Sequence, residues 1–73
     1  MTNREELLKR ISIDPNVCFG KPCIRGTRVW VSLIADNLAE GVSVAELPHA
    51  YPQIQPEDIR AALLFAAEMT RVQ

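Results

Sequence analysis

The chain is predicted to be mainly α-helical with a small N-terminal β extension, its second half forming a helix-turn-helix-like three-helix module. Three features carry this expectation. From Val31 the apolar residues Val31, Ile34, Ala35 and Leu38 recur at the spacing of one helical face. Gly41 followed by Ser43-Val44-Ala45-Glu46 gives a helix stop and then a helix start. Before Val31 only short extended pieces occur, separated by turn signals. Residues 1–30 are thus a short helix with the β extension, residues 31–73 the helical module, and the two together one domain.

In chain order, Asn3 with Glu6 resembles a capping box, and Glu5–Lys9 and Glu6–Arg10 have the i,i+4 spacing that supports one or two helical turns. Ile11-Ser12-Ile13 alternates as a half-buried strand does, and Asp14-Pro15-Asn16 signals a turn. Cys23-Ile24 and Arg28 to Val31 supply two further extended pieces, with bends at Phe19-Gly20 and Arg25-Gly26. Three strands this short leave edges that one chain cannot cover, which argues for a homodimer.

The helix beginning at Val31 should end near Glu40, with Gly41 in the left-handed position after it. Val42 and Leu47 are spaced to staple the start of the next helix. Pro48 removes a backbone donor early in that helix, which should therefore be short or kinked and cannot pass Tyr51-Pro52. The third and longest helix starts at Pro56, with Glu57 and Asp58 favouring its macrodipole. Its predicted buried face is Ile59, Ala62, Leu63 and Ala66, while Ala61, Leu64, Phe65 and Val72 lie on or near the opposite side.

At 73 residues, 48% hydrophobic and 23% charged, the chain has the composition of one small globular domain of marginal stability on its own. Its longest apolar stretches are too short to span a membrane and its N-terminus is too charged for a signal-peptide core, so a cytoplasmic location is expected. Cys18 and Cys23 read as reduced thiols, and one histidine beside two cysteines does not make a zinc site. No cofactor is expected.

The net charge of −1 conceals a division. Lys21, Arg25 and Arg28 occur between residues 21 and 31 without an acid, whereas Asp36, Glu40, Glu46, Glu57 and Asp58 occupy residues 32–58 without Lys or Arg. Any phosphate contact is therefore expected at the first segment. Arg25 and Arg28 can grip phosphates or carboxylates bidentately, and Lys21 adds a less directional charge. The competing reading is an ordinary solvated hairpin in which Gly26 supplies positive φ and the Thr27 hydroxyl caps a turn.

Base reading by the third helix would bring Glu57 and Asp58 towards the phosphate field, and these acids are better explained as stabilisers of the helix start. Trp30 and Tyr51 read as packing anchors. His49 has no nucleophile motif near it, and each carboxylate has a structural role in a turn or at a helix end, so no enzyme activity is expected. Leu64, Phe65 and Val72 form a candidate protein interface with Glu68 and Arg71 at its rim.

Ile13-Asp14-Pro15, Phe19-Gly20-Lys21-Pro22-Cys23-Ile24-Arg25-Gly26-Thr27-Arg28-Val29, Gly41-Val42-Ser43, Ala45-Glu46-Leu47, Tyr51-Pro52 and Glu57 to Leu63 closely resemble the bacterial domain of unknown function 433 family. The resemblance covers nearly everything from Ile11 to Ala67, and the Gly-Lys-Pro-x-Ile-x-Gly-Thr-Arg run is its specific signature. It implies a homeodomain-like helix-turn-helix fold and an antitoxin-like role: binding and neutralising a PIN-like ribonuclease toxin, with the chain's own promoter DNA as a further candidate partner. From the charge division, Lys21, Arg25, Thr27 and Arg28 are the candidate contacts to nucleic acid or an acidic partner. The sequence departs from the family at Gln55, where Thr is usual, and at Pro48 and Ala50. Gln is a poor N-cap, so fraying is expected at the start of the third helix. Two alternatives are a promoter-binding regulator without a toxin partner and a purely self-associating domain.

Overall fold

The computed structural model describes residues 3–71. Among these, four helices surround a minimal sheet: α1 (Arg4–Leu8), β1 (Ile11–Ser12), β2 (Cys23–Ile24), α2 (Val31–Ala39), α3 (Leu47–Ala50) and α4 (Pro56–Thr70). β1 and β2 are antiparallel, with Ile11 opposite Ile24 and Ser12 opposite Cys23. The expected third strand reduces to a single bridge between Cys23 and Trp30, because Val31 already begins α2. No described helix is long and apolar enough to cross a membrane.

Local sequence explains most boundaries. The Asn3 side chain accepts from the Glu6 amide at 2.8 Å and starts α1. Gly41, at φ +100°, follows α2 in a backbone conformation that other residues rarely adopt. The Ser43 hydroxyl accepts from the Glu46 amide at 3.1 Å and donates to the Glu46 carboxylate at 2.9 Å. That motif closes a turn, and the helix after it has only four residues. Pro48 falls in the first turn of α3, where its missing N–H matters least, and Tyr51-Pro52 ends the element. With α3 so short and α1 packed on α4, the molecule is a four-helix arrangement and not a clear three-helix helix-turn-helix module.

α4 organises the fold by packing against α1, β1 and α2. The core comprises Leu7, Ile11, Ile24, Val29, Val31, Ile34, Leu47, Ile54, Ile59, Ala61 and Ala62. Contacts on two sides of α4 rotate and widen its buried face relative to expectation. Ala61 is fully buried and Leu64 and Phe65 pack against the core, whereas Leu63, expected inside, is 49% exposed.

Gln55 and Asp58 form a capping box at the start of α4. Asp58, the buried charged residue of the core, accepts from the Gln55 amide at 2.8 Å and from Arg10 at 3.0 Å. One carboxylate thus caps α4 and ties it to the end of α1. Arg10 is drawn to Asp58, and neither i,i+4 pair expected in α1 is among the described ion pairs.

Candidate functional site

The basic segment folds into a tight hairpin after β2. The Thr27 amide donates to the Ile24 carbonyl at 3.0 Å, and Gly26 takes φ +82° in the turn between them. The Thr27 hydroxyl donates to the same carbonyl at 2.8 Å and accepts from the Val29 amide at 3.0 Å. Thr27 is therefore fixed within the turn. Arg25 is similarly engaged, donating to the Lys9 carbonyl at 2.7 Å and the Ile11 carbonyl at 3.1 Å, so its guanidinium joins the hairpin to the end of α1 and to β1.

Arg28 is exposed and has no described hydrogen-bond or ion-pair partner, leaving its full donor fork to solvent. Lys21 is exposed with its ammonium 5.5 Å from the centre of the half-buried Trp30 ring. Between the hairpin and the Asp14-Pro15 turn lies an open groove of about 600 Å³, lined by Arg25, Gly26, Thr27 and Arg28 on one side and Ile13 and Asp14 on the other. The four sequence-selected residues thus separate by role: Arg25 and Thr27 build the hairpin, while Lys21 and Arg28 present charge.

This separation makes a prediction. Arg25→Ala is expected to cost about 1–2 kcal/mol of folding stability, because two carbonyls lose a charged donor. Arg28→Ala should leave the urea midpoint unchanged and, where an anionic partner binds, reduce the salt dependence of that binding. Equal urea midpoints for the two variants would contradict the division of roles.

Cys18 and Cys23 are both buried thiols. Burial pushes the Cys18 thiol above its ordinary range, and the neighbouring Cys23 thiol adds to the effect. A neutral, enclosed thiol is a poor nucleophile, which suits a packing role.

The candidate protein interface lies on the distal half of α4. Phe65 stands between two shallow apolar grooves. One, of about 390 Å³, is walled by Leu8, Ile11, Ile13 and Met69; the other, of about 330 Å³, by Pro22, Val31, Ala35 and Ala66. Leu64 and Phe65 are half-buried, whereas Ile13 and Met69, not singled out from the sequence, are 60% and 66% exposed. Their spacing on different elements concealed them, since only the fold brings Ile13 beside α4. Glu68 pairs with Arg4 and, at 3.5 Å, with Arg71, so two guanidinium groups share one carboxylate at the rim, which keeps one net positive charge. Val72 lies outside the described residues.

The sequence profile described as "Protein of unknown function (DUF433)" matches residues 11–66, which include the hairpin and most of α4. The chain belongs to this family. The matched segment begins at β1 and omits α1 and the two residues after it, Lys9 and Arg10, which supply one of the two carbonyls that anchor Arg25 and the partner of Asp58. The chain is also 38% identical over 56 residues to "Uncharacterized protein y4eO" of Sinorhizobium fredii. That similarity covers 77% of this chain and 25% of the relative, so this DUF433 chain spans about a quarter of the relative's length. No solved structure matches the chain.

Proposed function

We propose that this DUF433 chain is an antitoxin-like binding module that neutralises a PIN-like ribonuclease by occlusion, with no chemistry of its own. The reading draws its partner class from the family resemblance, and its binding surface from one observation: the paired apolar grooves that meet at Phe65. Ile13 and Met69 border one of these grooves and are exposed, leaving large apolar side chains that a partner could cover. The ring would serve as the anchor, Ile13 and Met69 as the surrounding contacts, and Glu68, Arg4 and Arg71 as a polar rim that stays in contact with water.

The acidic start of α4 favours a protein partner over major-groove reading. Glu57 stands at that end, and the Arg10 guanidinium is already engaged with Asp58. The exposed Lys21 and Arg28 support the second reading, a promoter-binding regulator, in which the hairpin and not α4 would meet phosphates.

The test is co-expression of the tagged chain with the adjoining reading frame of its native locus, followed by mass determination of the purified complex. Recovery of a small nuclease-like protein is expected. Phe65→Asp should abolish that association, but Phe65 also packs on the core, so Met69→Glu and Ile13→Glu are the cleaner variants. Both change exposed side chains, and each is expected to weaken the complex at least tenfold, or about 1.4 kcal/mol, with little change in melting temperature. Undiminished binding in both variants would remove the α4 face from the proposal. Recovery of the chain alone, with tight promoter binding, would favour the regulator.

A further inference from the structure

The turn that precedes the basic hairpin is costly in two ways. Cys18, Phe19 and Gly20 form a short 3-10 turn in which all three residues have positive φ, 53°, 57° and 79°. Only the glycine adopts this region without strain, and a bulky aromatic in it is a true outlier. The Phe19 side chain is also 90% exposed, so the ring gains almost nothing from folding. The turn is held from beneath by the buried Cys18 and by bonds from the Gly20 amide to the Val17 carbonyl at 3.1 Å and from the Lys21 amide to the Cys18 carbonyl at 3.0 Å. A well-fixed backbone thus presents a hydrophobic ring to water.

The charges near this ring in sequence have one sign. Residues 15–35 contain Lys21, Arg25 and Arg28 and no Asp or Glu. The acid just outside that span, Asp14, has its carboxylate engaged by the Asn16 amide at 2.9 Å. With Arg25 committed to backbone carbonyls, Lys21 and Arg28 are the cations available to a ligand. The second aromatic of the segment, Trp30, is half-buried beneath Lys21.

We propose that this turn binds single-stranded nucleic acid, with an unpaired base stacking on Phe19 and the adjoining phosphates meeting Lys21 and Arg28. An exposed aromatic interleaved with cations on a fixed backbone is the arrangement by which proteins hold single strands. A base needs only one open face of the ring, whereas a protein pocket would have to surround it. Unpaired RNA and DNA share the base faces and phosphates that this chemistry recognises; a duplex hides its base faces within the stack. The site goes beyond the protein-binding reading of α4 and does not depend on it.

The experiment is fluorescence anisotropy of end-labelled, mixed-sequence 12-nucleotide RNA and DNA single strands, and of the corresponding duplex, titrated with the full chain at about 50 mM salt. Single strands are expected to bind more tightly than duplex. Phe19→Ala should weaken single-strand binding at least tenfold and Phe19→Trp should retain it. Lys21→Ala and Arg28→Ala should each make the dependence of log affinity on log salt shallower by about 0.7.

Phe19→Gly provides the folding control. It removes both the ring and the strain, so its melting temperature should be no lower than that of the parent while its binding falls as in Phe19→Ala. Undiminished binding by Phe19→Ala, preference for duplex, or no binding up to about 0.5 mM protein would each overturn the proposal. A protein partner whose binding depends on Phe19 while oligonucleotides do not bind would replace the proposed ligand and also overturn it.

Discussion

Asp58→Ala is expected to lower the stability of the domain by about 3 kcal/mol, with a fall in melting temperature of roughly 10–20 °C. The carboxylate is buried and combines two functions in one group. Removing it strips α4 of the acceptor for the Gln55 amide, a loss typical of an N-cap at about 1 kcal/mol. It also leaves the Arg10 guanidinium without its partner in a part-buried position. Arg10 remains 36% exposed, so water recovers part of the charge interaction, and the estimate stays at the lower end of the range for breaking buried pairs.

Two further variants separate these roles. Asp58→Asn keeps an oxygen that can accept from Gln55 but removes the charge, and should cost about half as much. A double-mutant cycle between Asp58→Ala and Arg10→Ala should return a coupling of at least about 1 kcal/mol. Thermal unfolding followed by circular dichroism measures all of these. A coupling near zero would show that the cap accounts for the whole effect.

Leu47→Ala is expected to have an effect at least as large, about 3–4 kcal/mol. Leu47 is fully buried and is the buried residue of α3. A domain of this size has a total stability of roughly 4–11 kcal/mol, so the variant should be largely unfolded at modest urea concentrations. The four-residue α3 cannot persist on its own helical propensity, because nucleation is unfavourable and too few bonds follow it. Its order comes from Leu47, which is seated in the core. Amide exchange in residues 43–54 should accelerate before that of α4 in the variant. A urea midpoint close to that of the parent would show that the site relaxes around the lost side chain.

The positions of the helices were legible in the sequence wherever a local motif dictated them. Asn3 starts α1, Gly41 follows α2, and Pro56 opens α4, each for a reason confined to a few neighbouring residues. The short length of α3 was likewise readable from Pro48 and from Tyr51-Pro52. The existence of a basic hairpin, and the need for a glycine at its turn, also followed from residues 21–29 alone. Membership of the DUF433 family was legible in the sequence too, through the motifs spread over residues 11–66.

The roles of individual charged and apolar residues were not legible, because they depend on contacts between distant parts of the chain. Arg25 and Arg28 have equivalent chemistry in the sequence, yet Arg25 is consumed by carbonyls of residues 9 and 11 while Arg28 remains open. Asp58 was readable as a helix-start acid, but its partner, Arg10, lies 48 residues away. Helical periodicity placed Leu63 inside and Phe65 on the far side of α4. Packing of α1 and β1 on one flank of that helix and α2 on the other reversed the pair. Phe19 passed as part of a bend, since a sequence does not disclose that the backbone beneath a residue has positive φ or that no neighbour covers it.

By itself the sequence determined where backbone hydrogen bonding must start and stop, since caps, glycines and prolines act within one turn of the chain. The tertiary structure decided which side chains are spent on holding the domain together and which are left for a partner, because burial and ion pairing join residues that only folding brings within reach.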